Sequence, residues 1–151
     1  EIGSGLVGSE MCIRDRPHPY TEEDAENFIK MNMEHEGPAE NFAIDIDGKA
    51  VGGVGFVMGS DVERISAEIG YWLGEQYWGW GIMTSAVQEA VKYAFETLPV
   101  IRIYAGVFEY NIPSMKVLEK AGFKKEAILR KAVIKNGKIL DFHYYALLKE
   151  E

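Results

Sequence analysis

Cysteine is almost missing from this chain of 151 residues: a single one, Cys12, can form neither an internal disulfide nor a thiolate zinc site. Histidine is scarce as well. His18, His35 and His143 stand far apart without the spacing of metal ligands, so no metal site is expected. No apolar run approaches the roughly 20 residues that cross a bilayer. Basic residues are in deficit, 16 Lys and Arg against 24 Asp and Glu, for a formal charge of -8. That balance argues against a nucleic-acid binder, which needs a cationic face for the phosphate backbone. It leaves room for a cationic amine as a substrate, although net charge acts first on solubility. With 47% hydrophobic and 26% charged residues, the composition is that of one soluble globular domain large enough to bury a core.

The opening EIGSGLVGSEMCIRDR has neither a helical nor an alternating period, and it resembles translated sequencing-adapter sequence. Residues 1–16 are therefore expected to be a non-native or disordered segment, and residues 17–151 a single domain. A genuine disordered tail is the other reading.

From Pro17 onward the periods become regular. Thr21 with Asp24 three residues later resembles a capping box, followed by Ala25, Phe28 and Ile29 on one helical face. NFAIDIDGKAVGGVGFV alternates about Asp47-Gly48, a pair that favours a two-residue hairpin turn. SAEIGYWLG reads as a strand. After Gly81, Ile82, Met83, Ala86, Val87, Ala90, Val91, Ala94 and Phe95 form a helical stripe, with Gln88, Glu89 and Lys92 turned outward. VIRIYAGVF is a β-branched strand. NIPSMKVLEKAG is a short helix capped by Asn111, with Pro113 in its first turn and Gly122 as its stop. Two last strands flank Asn136-Gly137. The middle strand–helix–strand unit requires parallel strands and the hairpins require antiparallel ones. The expectation is an α/β (α+β) fold: a mixed central sheet with helices on both faces.

The stretch QYWGWGIMTSAV sits where a strand passes through two glycines into a long helix. A helix N-terminus presents unpaired N–H groups and the positive end of its dipole, a ready anion site, and glycine lets a ligand approach the backbone. No Gly-Lys-Ser/Thr follows, which disfavours a nucleoside triphosphate with magnesium.

Gln76-Tyr77-Trp78-Gly79-Trp80-Gly81 matches the Gln/Arg-x-x-Gly-x-Gly/Ala signature of the GNAT acyltransferases. Asn111-Ile-Pro-Ser114 with Lys120-Ala-Gly-Phe123 resembles the second family signature, and the whole arrangement is similar to the RimJ/RimL branch. The resemblance covers Pro17 to the C-terminus. It implies a GNAT acyl-CoA N-acyltransferase fold, here lacking its first strand and helix. It also implies a cytoplasmic N-acetyltransferase, monomer or homodimer, that moves an acetyl group from acetyl-CoA to a primary amine by direct attack in a ternary complex. The acceptor would be a protein N-terminus or a small amine. A non-catalytic acyl-CoA-binding module is the alternative.

The resemblance further implies a division of roles. The backbone from Gln76 to Gly81 would wrap the pyrophosphate of coenzyme A, extended by Ile82 and Met83. Tyr71, Trp72 and Leu73 would lie along the pantetheine arm, where the family's fourth and fifth strands splay. The side chains of Tyr77, Trp78 and Trp80 are as readily explained by packing. A backbone N–H near Ile69 to Tyr71 would serve the oxyanion. An alkyl amine is mostly protonated at neutral pH and needs a base. Glu68 is the candidate, with a solvated strand glutamate as the other reading. Asn111 would cap its helix and contact the cofactor. Many relatives carry a tyrosine seven residues after this Asn to protonate the thiolate; Leu118 stands there and has no proton to give. Ser114, or water, is the expected substitute.

Overall fold

The structure, a computed structural model, describes residues 37–150. The Thr21-capped segment and residues 1–16 lie outside the described residues. Among the described residues six strands form one mixed sheet: β1 (Asn41–Ile46), β2 (Lys49–Met58), β3 (Ser66–Leu73), β4 (Arg102–Phe108), β5 (Lys124–Lys135) and β6 (Lys138–Leu148). Helix α1 (Ile82–Thr97) joins β3 to β4, and α2 (Ile112–Lys120) follows β4. The strand order is β1-β2-β3-β4-β6-β5, with β3 and β4 parallel and every other pair antiparallel.

The turns form where their residues demand it. Asp47 (φ 53°) and Gly48 (φ 81°) both adopt the left-handed conformation of the tight β1–β2 hairpin, as do Asn136 and Gly137 between β5 and β6. The Asp45 carboxylate accepts from the Gly48 N–H at 2.8 Å. At the foot of α2, Asn111 Oδ1 accepts from the Ser114 N–H at 3.2 Å, satisfying one of the first-turn donors.

Both helices pack on one face of the sheet. Ala67, Ile69, Tyr71 and Leu73 of β3 share a core with Ile103, Ala105 and Val107 of β4, Met83, Val87 and Ala94 of α1, and Met115 and Leu118 of α2. The alternation of each strand sends Glu68, Gly70 and Trp72 to the opposite face with Tyr104, Gly106, Phe108, Phe142 and Tyr144. No described helix covers that second face. The helix read at Thr21, which would give the expected cover, falls outside the described residues. The outermost strand β5 is almost wholly exposed, and its lysines suit an unpaired edge.

Candidate active site

The parallel pair at the centre of the sheet is short. β3 pairs with β4 only through Ser66↔Arg102, Ala67↔Ile103 and Glu68↔Tyr104. Beyond Glu68 the two strands part: among the described residues, β3 continues to Leu73 paired with β2 and β4 continues to Phe108 paired with β6. A strand edge without a strand partner offers N–H and C=O groups to a ligand, as in β-strand addition. The splay expected of the family's fourth and fifth strands is thus present here between β3 and β4.

Leu73 leads through a 3₁₀ turn (Glu75–Tyr77) into the glycine loop. Trp78 fastens this loop, its indole N–H donating to the Leu73 carbonyl at 2.9 Å, and Gly74 N–H donates to Val51 O at 2.8 Å. Gly79 (φ 79°) and Gly81 (φ 75°) are left-handed, a conformation costly for a residue bearing a Cβ. A Cβ on either would meet nothing within 4 Å, so open space lies in front of both. Gly81 is the N-cap of α1 and no side chain caps it. The first backbone bond of the helix runs from Ser85 N–H to Gly81 O. Among the described residues nothing accepts from the N–H groups of Gly79, Gly81, Ile82 or Met83. These are oriented donors at the positive end of a 16-residue helix.

The splay and the loop open into one groove of about 310 Å³. Tyr71, Trp72 and Leu73 border it, as do Tyr77, Trp78, Gly79, Gly81, Ile82 and Met83, and Ser114 of α2. Trp72 contributes less than its size promises, because its indole lies over Gly53, where a Cβ would come within 2.7 Å of Nε1. Four expected residues are not among the groove walls: Gln76, Trp80, Asn111 and Glu68. Gln76 is exposed and Trp80 is 73% exposed, so packing does not account for Trp80. Asn111 is buried beneath the start of α2. Glu68 sits half-buried on the opposite face, at the last rung before the strands part.

The groove also has walls that the sequence reading did not name. Thr84, Pro113, Lys116, Val117 and Lys120 line it. Lys116 and Lys120 are one helical turn apart on α2 and put two cations beside the donor-rich loop. Their i, i+4 spacing was visible in the sequence, but which way α2 turns that face depends on packing. Tyr145 of β6 helps to set it: its hydroxyl donates to Glu119 Oε1 at 3.1 Å. Burial, and then the Glu119 carboxylate, push that phenol's pKa up to about 12, so its proton stays in place.

Ser114 is fully buried although it adjoins the groove, and Tyr71 is only 3% exposed. The Tyr71 hydroxyl donates to the Ser114 carbonyl at 3.2 Å and lies 2.7 Å from Ser114 Oγ. Strand β3 and helix α2 are therefore joined by a pair of hydroxyls at the groove floor. Among the described residues no cluster of His, Cys, Asp and Glu could hold a metal ion.

A family model described as "Acetyltransferase (GNAT) domain" matches residues 6–124. The chain is 38% identical over 138 residues to the "Uncharacterized N-acetyltransferase p20" of Bacillus licheniformis, a match covering 88% of this chain and 77% of that protein. It is 29% identical over 140 residues to the ribosomal protein uS5-alanine N-acetyltransferase of Escherichia coli, covering 89% and 71%. Among solved structures, a GNAT-family acetyltransferase from Bacillus anthracis superposes with a TM-score of 0.76 at 33% identity, covering 87% of this chain and 77% of that one.

Proposed function

Because the chain belongs to the GNAT acetyltransferase family, we propose that its groove holds acetyl-CoA and that it acetylates a primary amine by direct attack in a ternary complex. One observation carries this reading. The parted edge of β3 and the unoccupied amides of the glycine loop open into the same groove, which suits a ligand with a diphosphate at one end and amides along its length. When bound, acetyl-CoA supplies an activated acyl group; the rest is the work of this chain's own residues.

The N–H groups at Gly79, Gly81 and the first turn of α1 hold the diphosphate. Trp80 and Gln76 join that contact through their backbone, which needs no side chain in the groove. Lys116 and Lys120 add charge, and replacing both by alanine is expected to weaken coenzyme A binding roughly 5- to 10-fold. Because both are exposed, the difference should shrink as salt rises, which calorimetry at two ionic strengths would read. The backbone from Ile69 to Tyr71, on the stretch of β3 beyond its pairing with β4, supplies a donor for the developing oxyanion. Asn111 works by capping α2, which fixes Ser114.

The attacking amine must lose a proton. Glu68, at the rung where the sheet opens, is positioned to take it from the second face, directly or through water. Glu68→Gln is expected to lower kcat about 100-fold, within the usual range for a general base, while leaving the affinity for coenzyme A within twofold. An unchanged kcat would remove Glu68 from the mechanism.

The acceptor is read as a protein N-terminal amine, on the strength of the E. coli relative named for a ribosomal-protein alanine. A small amine is the second candidate, consistent with the acidic chain. A cytoplasmic site of action fits such a donor and acceptor. Among the described residues no helix is long and apolar enough to cross a membrane. Thiol release from acetyl-CoA, measured with N-terminal peptides and with polyamines, tests the reading. Binding without release for every acceptor would favour a non-catalytic acyl-CoA-binding module.

A further inference from the structure

We infer that Tyr71 is the group that returns a proton to the departing coenzyme A thiolate, and that Ser114 positions it. The inference rests on the coenzyme A reading above and goes on to assign the acid. Leu118 has no proton to give, so a side-chain donor, as against water, is another group that borders the groove. Tyr77 and Thr84 belong to the glycine loop and the helix start, at the end proposed for the diphosphate, and Lys116 and Lys120 are exposed. Tyr71 and Ser114 remain, on the segment of β3 beyond the splay and on the helix facing it.

Between these two the chemistry decides. An alkyl hydroxyl is a far weaker acid than a phenol. Of the two, only the phenol can give a proton to a thiolate without a large penalty. Ser114 is also fully buried, whereas Tyr71 keeps a sliver of exposure. The hydrogen bonds have the sense this requires. The phenol donates to the Ser114 carbonyl at 3.2 Å, a long bond that is easily given up, so its oxygen can accept from Ser114 Oγ at 2.7 Å. That short bond holds the phenolic oxygen in place, and the Ser114 O–H can donate to the charge that oxygen carries once its proton has left.

The step balances. As the amine nitrogen bonds to the acyl carbon, the carbon–sulfur bond breaks and its electrons stay on sulfur. The Tyr71 O–H bond then breaks, an S–H bond forms, and the charge moves to the phenolic oxygen. The proton shed by the acceptor nitrogen restores the phenol through water.

Two measurements test this. In turnover of acetyl-CoA with an alanine-terminated peptide, Tyr71→Phe should cut kcat at least 10-fold with KM for acetyl-CoA little changed. It should also abolish the alkaline fall in kcat that loss of the phenolic proton imposes on the wild type. Ser114→Ala should cost less, and the double variant should be no slower than Tyr71→Phe. The second measurement needs no acceptor: calorimetry of coenzyme A against desulfo-coenzyme A. Wild type should favour the thiol increasingly as pH rises and the thiol becomes thiolate, and Tyr71→Phe should not. The same preference in both proteins, or a wild-type pH profile in Tyr71→Phe, overturns the assignment of the acid. Failure of wild type to bind either compound overturns the coenzyme A reading itself, and this inference with it.

Discussion

Replacing Gly81 by valine is expected to weaken coenzyme A binding on the order of 100-fold, equivalent to about 2.7 kcal/mol. Two effects combine. Gly81 has φ 75°, and a β-branched residue held in the left-handed region carries roughly 1–3 kcal/mol of strain. The new side chain would also occupy the open space before the α1 amides, where nothing lies within 4 Å of a Cβ. Because no atom of the described residues lies within 4 Å of a Cβ there, the strain is the main effect expected on stability. Thermal denaturation should therefore show a loss of about 2–8 °C, while calorimetry shows binding falling much further. Gly81→Ala separates the contributions, since it carries strain with little bulk. If Gly81→Val bound coenzyme A within twofold of the wild type, the amides at the start of α1 would have no part in holding the diphosphate.

Residue chemistry made much of this architecture readable before any coordinates. Asp47-Gly48 and Asn136-Gly137 are pairs whose backbone preference selects the hairpin turn without help from the rest of the chain. The stripe from Met83 to Ala94 buries as its spacing requires, and Asn111 caps the helix it precedes. Gly79 and Gly81 marked the turn before α1 because positive φ is a local demand. What stayed hidden is what depends on distant partners. The parting of β3 and β4 was legible only through the family resemblance, since no residue between Glu68 and Leu73 announces it. The turn of α2 that brings Lys116 to the groove, and Ser114 beneath Tyr71, comes from packing on β3 and β6. The contact between Ser114 and the Tyr71 phenol stayed hidden as well, since 43 residues separate the two in sequence.

The same splay makes one glycine on the second face a point of weakness, and Gly106→Ala is the variant that exposes it. Past Tyr104, β4 has no pairing with β3 and, among the described residues, is held in the sheet by β6. The Phe142 ring of β6 lies directly over Gly106, so a Cβ there would fall within the ring. The ring has no room to retreat. It is 1% exposed and is packed edge-on between Phe108 at 5.5 Å and Tyr144 at 5.6 Å. Overpacking of this kind costs typically ~1–3 kcal/mol, and more where the neighbour cannot move. Phe142→Ala removes the ring and should cost about 3–5 kcal/mol, a large share of a domain's usual stability of roughly 5–15 kcal/mol. In the double variant the methyl group enters the space that the ring has left. The combined loss, read from denaturant midpoints, should therefore fall short of the sum by at least about 1 kcal/mol. Additive losses would mean that ring and glycine do not meet. Coupled losses, with coenzyme A binding weakened alongside stability, would tie this aromatic clamp to the free half of β4 and so to the open side of the groove.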